Sequence, residues 1–145
     1  MKTIVLYYTL GGSTRAEATR IASAMEAEMI EVQETHKRNP FTAFIPGCPH
    51  AMKRRASKIK PLGVDLGGFE RIVLCCPVWS GYPAPAFNAM AALLPPGKEV
   101  EVVLCSAGGE TPKSIVGTKN LIMERGCRLI SYRDVNTTPE DKRAK

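Results

Sequence analysis

The 145-residue chain has one tryptophan, two histidines and no Cys-x-x-Cys pair. Its five cysteines are odd in number, and four of them lie in apolar runs, which excludes a secreted disulfide framework and fits free buried thiols in a reducing cytoplasm. No G-x-G-x-x-G occurs, and no lysine follows the one glycine-rich turn near the start, so neither a standard dinucleotide fingerprint nor a Walker A loop is present. From Ile72 to Gly97 there is no charged residue over 26 positions, yet Pro77, Gly81, Pro83, Pro85, Pro95 and Pro96 break that stretch too often for a membrane-spanning helix. The start, Met1-Lys2 followed by Thr3 to Leu10, mimics a short signal peptide. Its apolar stretch is brief and runs straight into glycines and a charged helical pattern, so secretion is not expected.

What is present is ordinary globular composition, 44% hydrophobic and 23% charged, with a net charge of +6. The charge is local. Lys37, Arg38, Lys53, Arg54, Arg55, Lys58 and Lys60 fall between residues 35 and 64, a span without Asp or Glu; removing these seven leaves 13 basic against 14 acidic residues. Nucleic-acid binding loses its motivation with that distribution. Two readings of the basic span remain open: a solvated basic helix, or a docking patch for an acidic partner or a cofactor phosphate.

Strand and helix patterns alternate along the chain. Thr3–Tyr8 is an apolar strand; Arg15–Glu28 has helical spacing at Ala18, Ile21, Ala22 and Met25, with Thr14 and Glu17 placed as in a capping box. Met29–Gln33 reads as a second strand, Glu34–Gly68 as an irregular connection with a short helix within His50–Lys58, and Arg71–Cys76 as a buried strand. Pro85–Leu94 is a helix, Val100–Cys105 a fourth strand, Pro112–Arg125 a helix capped by Thr111, and Cys127–Val135 a fifth strand. This predicts one α/β domain over residues 1–145, a doubly wound parallel sheet with helices on both faces. Ligands of such sheets sit beyond the carboxyl ends of the strands. Three segments leave those ends: Thr9-Leu10-Gly11-Gly12-Ser13-Thr14, Pro77-Val78-Trp79-Ser80-Gly81-Tyr82, and Ser106-Ala107-Gly108-Gly109-Glu110. The first has the glycines, hydroxyls and helix N-terminus of a phosphate cradle, and equally those of a tight capped turn. The second places the sole tryptophan at a strand end, where it lines a flat ligand or anchors the loop; Tyr82 does either or staples the next helix.

The first segment resembles the phosphate loop of the flavodoxin family, (Ser/Thr)-x-Thr-Gly-x-Thr, through Thr9, Gly12 and Thr14, with Gly11 in place of the usual Thr. Pro77-Val78-Trp79-Ser80-Gly81-Tyr82-Pro83-Ala84-Pro85 is similar to the Pro-Val-Trp-x-Gly-x-Pro-Ala-Pro stretch of one branch, as are Ala51-Met52-Lys53 and Asp65-Leu66. The resemblance implies a five-stranded sheet in the order 2-1-3-4-5, with FMN held by residues of all three segments. It further implies electron transfer with a redox partner protein or a small-molecule electron acceptor. Two other readings stand beside it: an FMN-dependent NAD(P)H or quinone reductase, and a binding module that has lost FMN.

The third segment lacks the aromatic that many flavodoxins place there. Phe41 and Phe44 could fold toward the cofactor or pack on the surface. His36 and His50, 14 residues apart, are expected in solvent, Cys75 and Cys76 on opposite faces of their strand, and Cys105 buried near the site. No metal site and no catalytic residue of the protein is expected; the chemistry belongs to the flavin. The polar stretch Thr137–Lys145 does not read as the usual last helix. The bare sheet face expected there, apolar on both sides of the strands, predicts a homodimer.

Overall fold

A computed structural model describes residues 1–108 and 110–137. The central strands form where the sequence is β-branched and apolar: β1 (Thr3–Tyr7), β3 (Arg71–Trp79) and β5 (Glu99–Ser106), with β2 (Glu28–Glu31) and β6 (Arg128–Asn136) at the edges. These five run parallel in the order β2-β1-β3-β5-β6, and β4 (Tyr82–Pro83) adds a short antiparallel pairing to β3. The order is the expected one, with one extra strand inserted in the count. That strand arises because Ser80 and Gly81 both have positive φ (55° and 82°), the conformation of a two-residue hairpin turn, so Trp79 pairs with Tyr82 and Val78 with Pro83.

Among the described residues five α-helical segments connect the strands: α1 (Ser13–Met25), the short α2 (Pro40–Thr42) and α3 (Cys48–Met52) joined by an irregular turn, α4 (Pro85–Ala92) and α5 (Ile115–Glu124). α4 is buried from Pro85 to Ala91, which explains the charge-free run: it is a strand, a hairpin and a helix enclosed by protein. No helix among the described residues is long and apolar enough to cross a membrane.

The sheet separates two apolar layers. On one side Ile4, Leu6, Ile72, Leu74, Val102 and Leu104 pack against Phe87, Met90 and Ile122. Burying each of these larger side chains contributes about 2 kcal/mol. On the other side Val5, Tyr7, Val73, Cys75, Val103 and Cys105 meet α1 through Ala18, Ile21 and Ala22. Cys75 and Cys76 thus face opposite layers, as expected.

Three expectations change. The capping box does not form. Gly12 occupies the N-cap position without a side-chain cap, Thr14 is buried inside the first turn, and Glu17 pairs with Arg20. α5 begins at Ile115, because Thr111 spends its hydroxyl and N–H on Asp134 instead of on a helix. The bare face over β5 and β6 is not apolar: Glu101, Ser131 and Arg133 line it, and Val103 and Cys105 beside them are buried. The stretch 138–145, on which the missing-helix expectation rests, lies outside the described residues.

Candidate functional site

The carboxyl ends of β1, β3 and β5 lie side by side in the sheet, so the three expected segments emerge together. In the first, the Gly12 N–H donates to Thr9 Oγ1 at 2.8 Å and Gly12 takes φ +101°, a left-handed geometry that glycine adopts without steric cost. α1 then starts at Ser13 with no side-chain cap and no acidic residue in its first turn. Its leading N–H groups are unspent inside the helix and carry the positive end of the dipole. An added Cβ at Gly11 or Gly12 would meet no protein atom within 4 Å, so space lies open over this turn. Ser13 is exposed, but Thr14 is turned inward, 2% exposed, with its side chain beside the Cys105 thiol. Burial pushes that thiol up, and Thr14 offsets part of the shift.

The second segment differs from a simple ring wall. Trp79 is only 8% exposed. Its ring meets Tyr8 edge-on with centroids 6.1 Å apart, and the Arg38 guanidinium lies 5.3 Å from its centre. A Cβ on Gly47 would come within 3.0 Å of it. The indole therefore anchors the connection after β2 onto β3. Ser80 and Gly81 at the hairpin tip and half-buried Pro77, Val78 and Tyr82 form the accessible part of this segment.

In the third segment Ser106 is half-buried and Ala107 and Gly108 are exposed; Gly109 lies outside the described residues. The segment is fastened at both ends. The Thr137 N–H donates to the Ser106 carbonyl at 2.9 Å, and Thr111 holds Asp134 through its N–H (3.1 Å) and Oγ1 (2.6 Å) while sharing a hydrogen bond with the Tyr132 hydroxyl. Burial raises Tyr132, and its bond to Thr111 works the other way.

Sequence reasoning missed the polar groups behind these loops. Arg54, at φ +53°, reaches α5, where Nη2 donates to the Ser114 carbonyl (2.9 Å), Ser114 Oγ (3.2 Å) and Thr118 Oγ1 (3.0 Å), and it stands 5.7 Å from the Tyr82 ring centre. Desolvation lowers its affinity for the proton. Glu34, buried, binds Arg38 Nε at 2.8 Å and accepts from the Tyr8 hydroxyl at 2.5 Å; burial and that carboxylate push Tyr8 far up. The Ser114/Thr118 spacing of four on one helix face carried a readable signal, whereas the long reach of Arg54 had none. Phe41 and Phe44 are exposed, 70% and 64%, matching the surface reading. His36 and His50 line one recess together, which their separation in sequence did not show. Among the described residues no group of acidic, His or Cys side chains could hold a metal.

No family model matches the chain, and no curated protein matches it by sequence. Solved structures do. The flavoprotein of Lactobacillus acidophilus NCFM in complex with FMN is 23% identical, with a TM-score of 0.73 over 90% of this chain and 91% of that one. The apo form of the flavoprotein from the same organism gives 22% and 0.70, covering 99% and 97%. Oxidised flavodoxin 1 of Bacillus cereus gives 19% and 0.55, covering 98% and 88%. The fold is flavodoxin-like.

Proposed function

We propose that this chain binds FMN across its three carboxyl-end loops and passes electrons between that cofactor and a redox partner protein or small-molecule acceptor. The observation that carries the proposal is the uncapped start of α1 beneath the open turn at Gly11 and Gly12. A phosphate fits there among backbone N–H groups and the hydroxyls of Thr9 and Ser13. Thr14 contributes its N–H, since its hydroxyl is turned to Cys105. Leu10, Pro77 to Tyr82, and Ser106 to Gly108 would border the ring, with Ala107 and Gly108 on its solvent-exposed side. When bound, FMN supplies one- and two-electron redox chemistry. The absence of an aromatic in the third segment leaves one ring face open in this reading. The Lactobacillus flavoprotein of the same fold in complex with FMN supports FMN as the ligand.

The test is the visible spectrum of the purified protein and a titration of apoprotein with FMN. Flavin absorbance and saturable quenching of FMN fluorescence are expected; no binding by either measure would overturn the proposal. A carrier should oxidise NAD(P)H only when a reductase is added.

A further inference from the structure

The connection after β2 encloses a recess of about 320 Å³ that belongs to none of the three loops. His36, Lys37, Arg38, His50, Ser57 and Lys58 surround it. Its walls are fixed by main-chain bonds. The Thr35 N–H donates to the Lys58 carbonyl at 2.9 Å and the Lys60 N–H to the Gln33 carbonyl at 2.8 Å, pairing Glu34 with Ile59 as an isolated bridge. The only acidic residue in the lining is Glu34, and its carboxylate is already committed to Arg38 and Tyr8. Lys37 and Lys58 are exposed and take part in no ion pair among the described residues. Ser57 Oγ, at the same place, is buried without a hydrogen-bond partner. The balance is two ammonium groups, two imidazoles and an unspent hydroxyl around a concavity, with no acid free to neutralise them.

We propose that this recess binds a small phosphate-bearing molecule at a site separate from the cradle at α1. The cavity lies in the size range of small-ligand sites, about 300–1,000 Å³, and its concave shape favours a compact anion over the broad face of an acidic protein. Lysine ammonium groups and imidazole N–H donors suit phosphate oxygens through charge-assisted hydrogen bonds. α3 ends at Met52, so Lys53 to Lys60 follow the helix and do not form a solvated basic helix, and Lys37, Arg38 and Lys58 are the basic residues of the span that line the recess.

The experiment is a titration with inorganic pyrophosphate, followed by backbone amide chemical shifts, on FMN-saturated and on FMN-free protein. Saturable shifts at His36, Lys37, Ser57 and Lys58 are expected in both, with affinity lowered about tenfold by Lys37→Ala or Lys58→Ala, each of which removes one charge-assisted contact. Both positions are exposed and unpaired, so the variants should keep the wild-type urea midpoint. Shifts confined to Gly11–Arg15 would mean that only the α1 cradle takes the anion, and would overturn the proposal. Non-saturating shifts equal to those given by chloride would overturn it as well, as would saturable binding of a deca-glutamate peptide without binding of pyrophosphate. Failure of FMN to bind leaves the recess signals readable in the FMN-free arm, so the two proposals fail separately.

Discussion

Arg38 lies over Trp79, its guanidinium carbon 5.3 Å from the ring centre, while its Nε holds the buried carboxylate of Glu34. One side chain thus ties the only indole of the chain to the only acid in that region of the connection. Arg38→Ala would leave Glu34 buried without its cation, and the expected loss is about 3 kcal/mol. Glu34→Gln in the same chain should recover part of it. Urea unfolding gives both values, and a red-shifted tryptophan emission in Arg38→Ala should report the uncovered ring.

Gly11 and Gly12 separate a cofactor effect from a folding effect. Gly12 needs φ +101°, so Gly12→Ala should cost about 1 kcal/mol of stability. At Gly11 φ is not left-handed and an added Cβ meets nothing, so Gly11→Ala should leave the thermal midpoint unchanged. A methyl group in that space should still weaken FMN binding in a fluorescence titration.

Gly117 of α5 faces Arg54, and a Cβ there would come 2.9 Å from the guanidinium. Gly117→Ala should therefore destabilise the protein by displacing a group that makes three hydrogen bonds. In an Arg54→Ala background the same change should become stabilising, by about 1 kcal/mol, because alanine is the better helix former. The coupling is read from a double-mutant cycle in urea.

Burial raises the thiols of Cys75 and Cys76. Both stay protonated in the folded protein at pH values where the unfolded chain ionises. The folded state then binds more protons, and stability is full below the ordinary thiol range. Above about pH 8.5 each thiol should remove about 1.4 kcal/mol of stability per pH unit. Urea midpoints between pH 7 and pH 10 check this, with a shallower slope expected for Cys75→Ala. In the native state Cys48, half-buried, should react with a thiol reagent well before either of them.

The strands and the three loop positions were legible because hydrophobic runs, glycines and prolines act locally, whereas the strand order came only with the family resemblance carried by the loops. Other features depended on contacts far apart in sequence. The inward turn of Trp79 is set by Tyr8, Arg38 and Gly47, which no periodicity in its neighbourhood reveals. Thr111 looks like a helix cap until β6 brings Asp134 to it. Glu99 and Glu101 alternating with Val100 and Val102, and Ser131 and Arg133 in β6, already marked a strand pair with one wettable face; the apolar residues that follow in β5 hid that alternation.

β6 is an edge strand, yet it carries both fastenings of the third loop, Asp134 to Thr111 and Thr137 to Ser106. The cradle at α1 is attached to the centre of the sheet through β1. Local opening at the edge would therefore release the third loop while the turn before α1 stayed in place. A ligand held across both, as proposed above, would then be loosened at one end while the other stayed held.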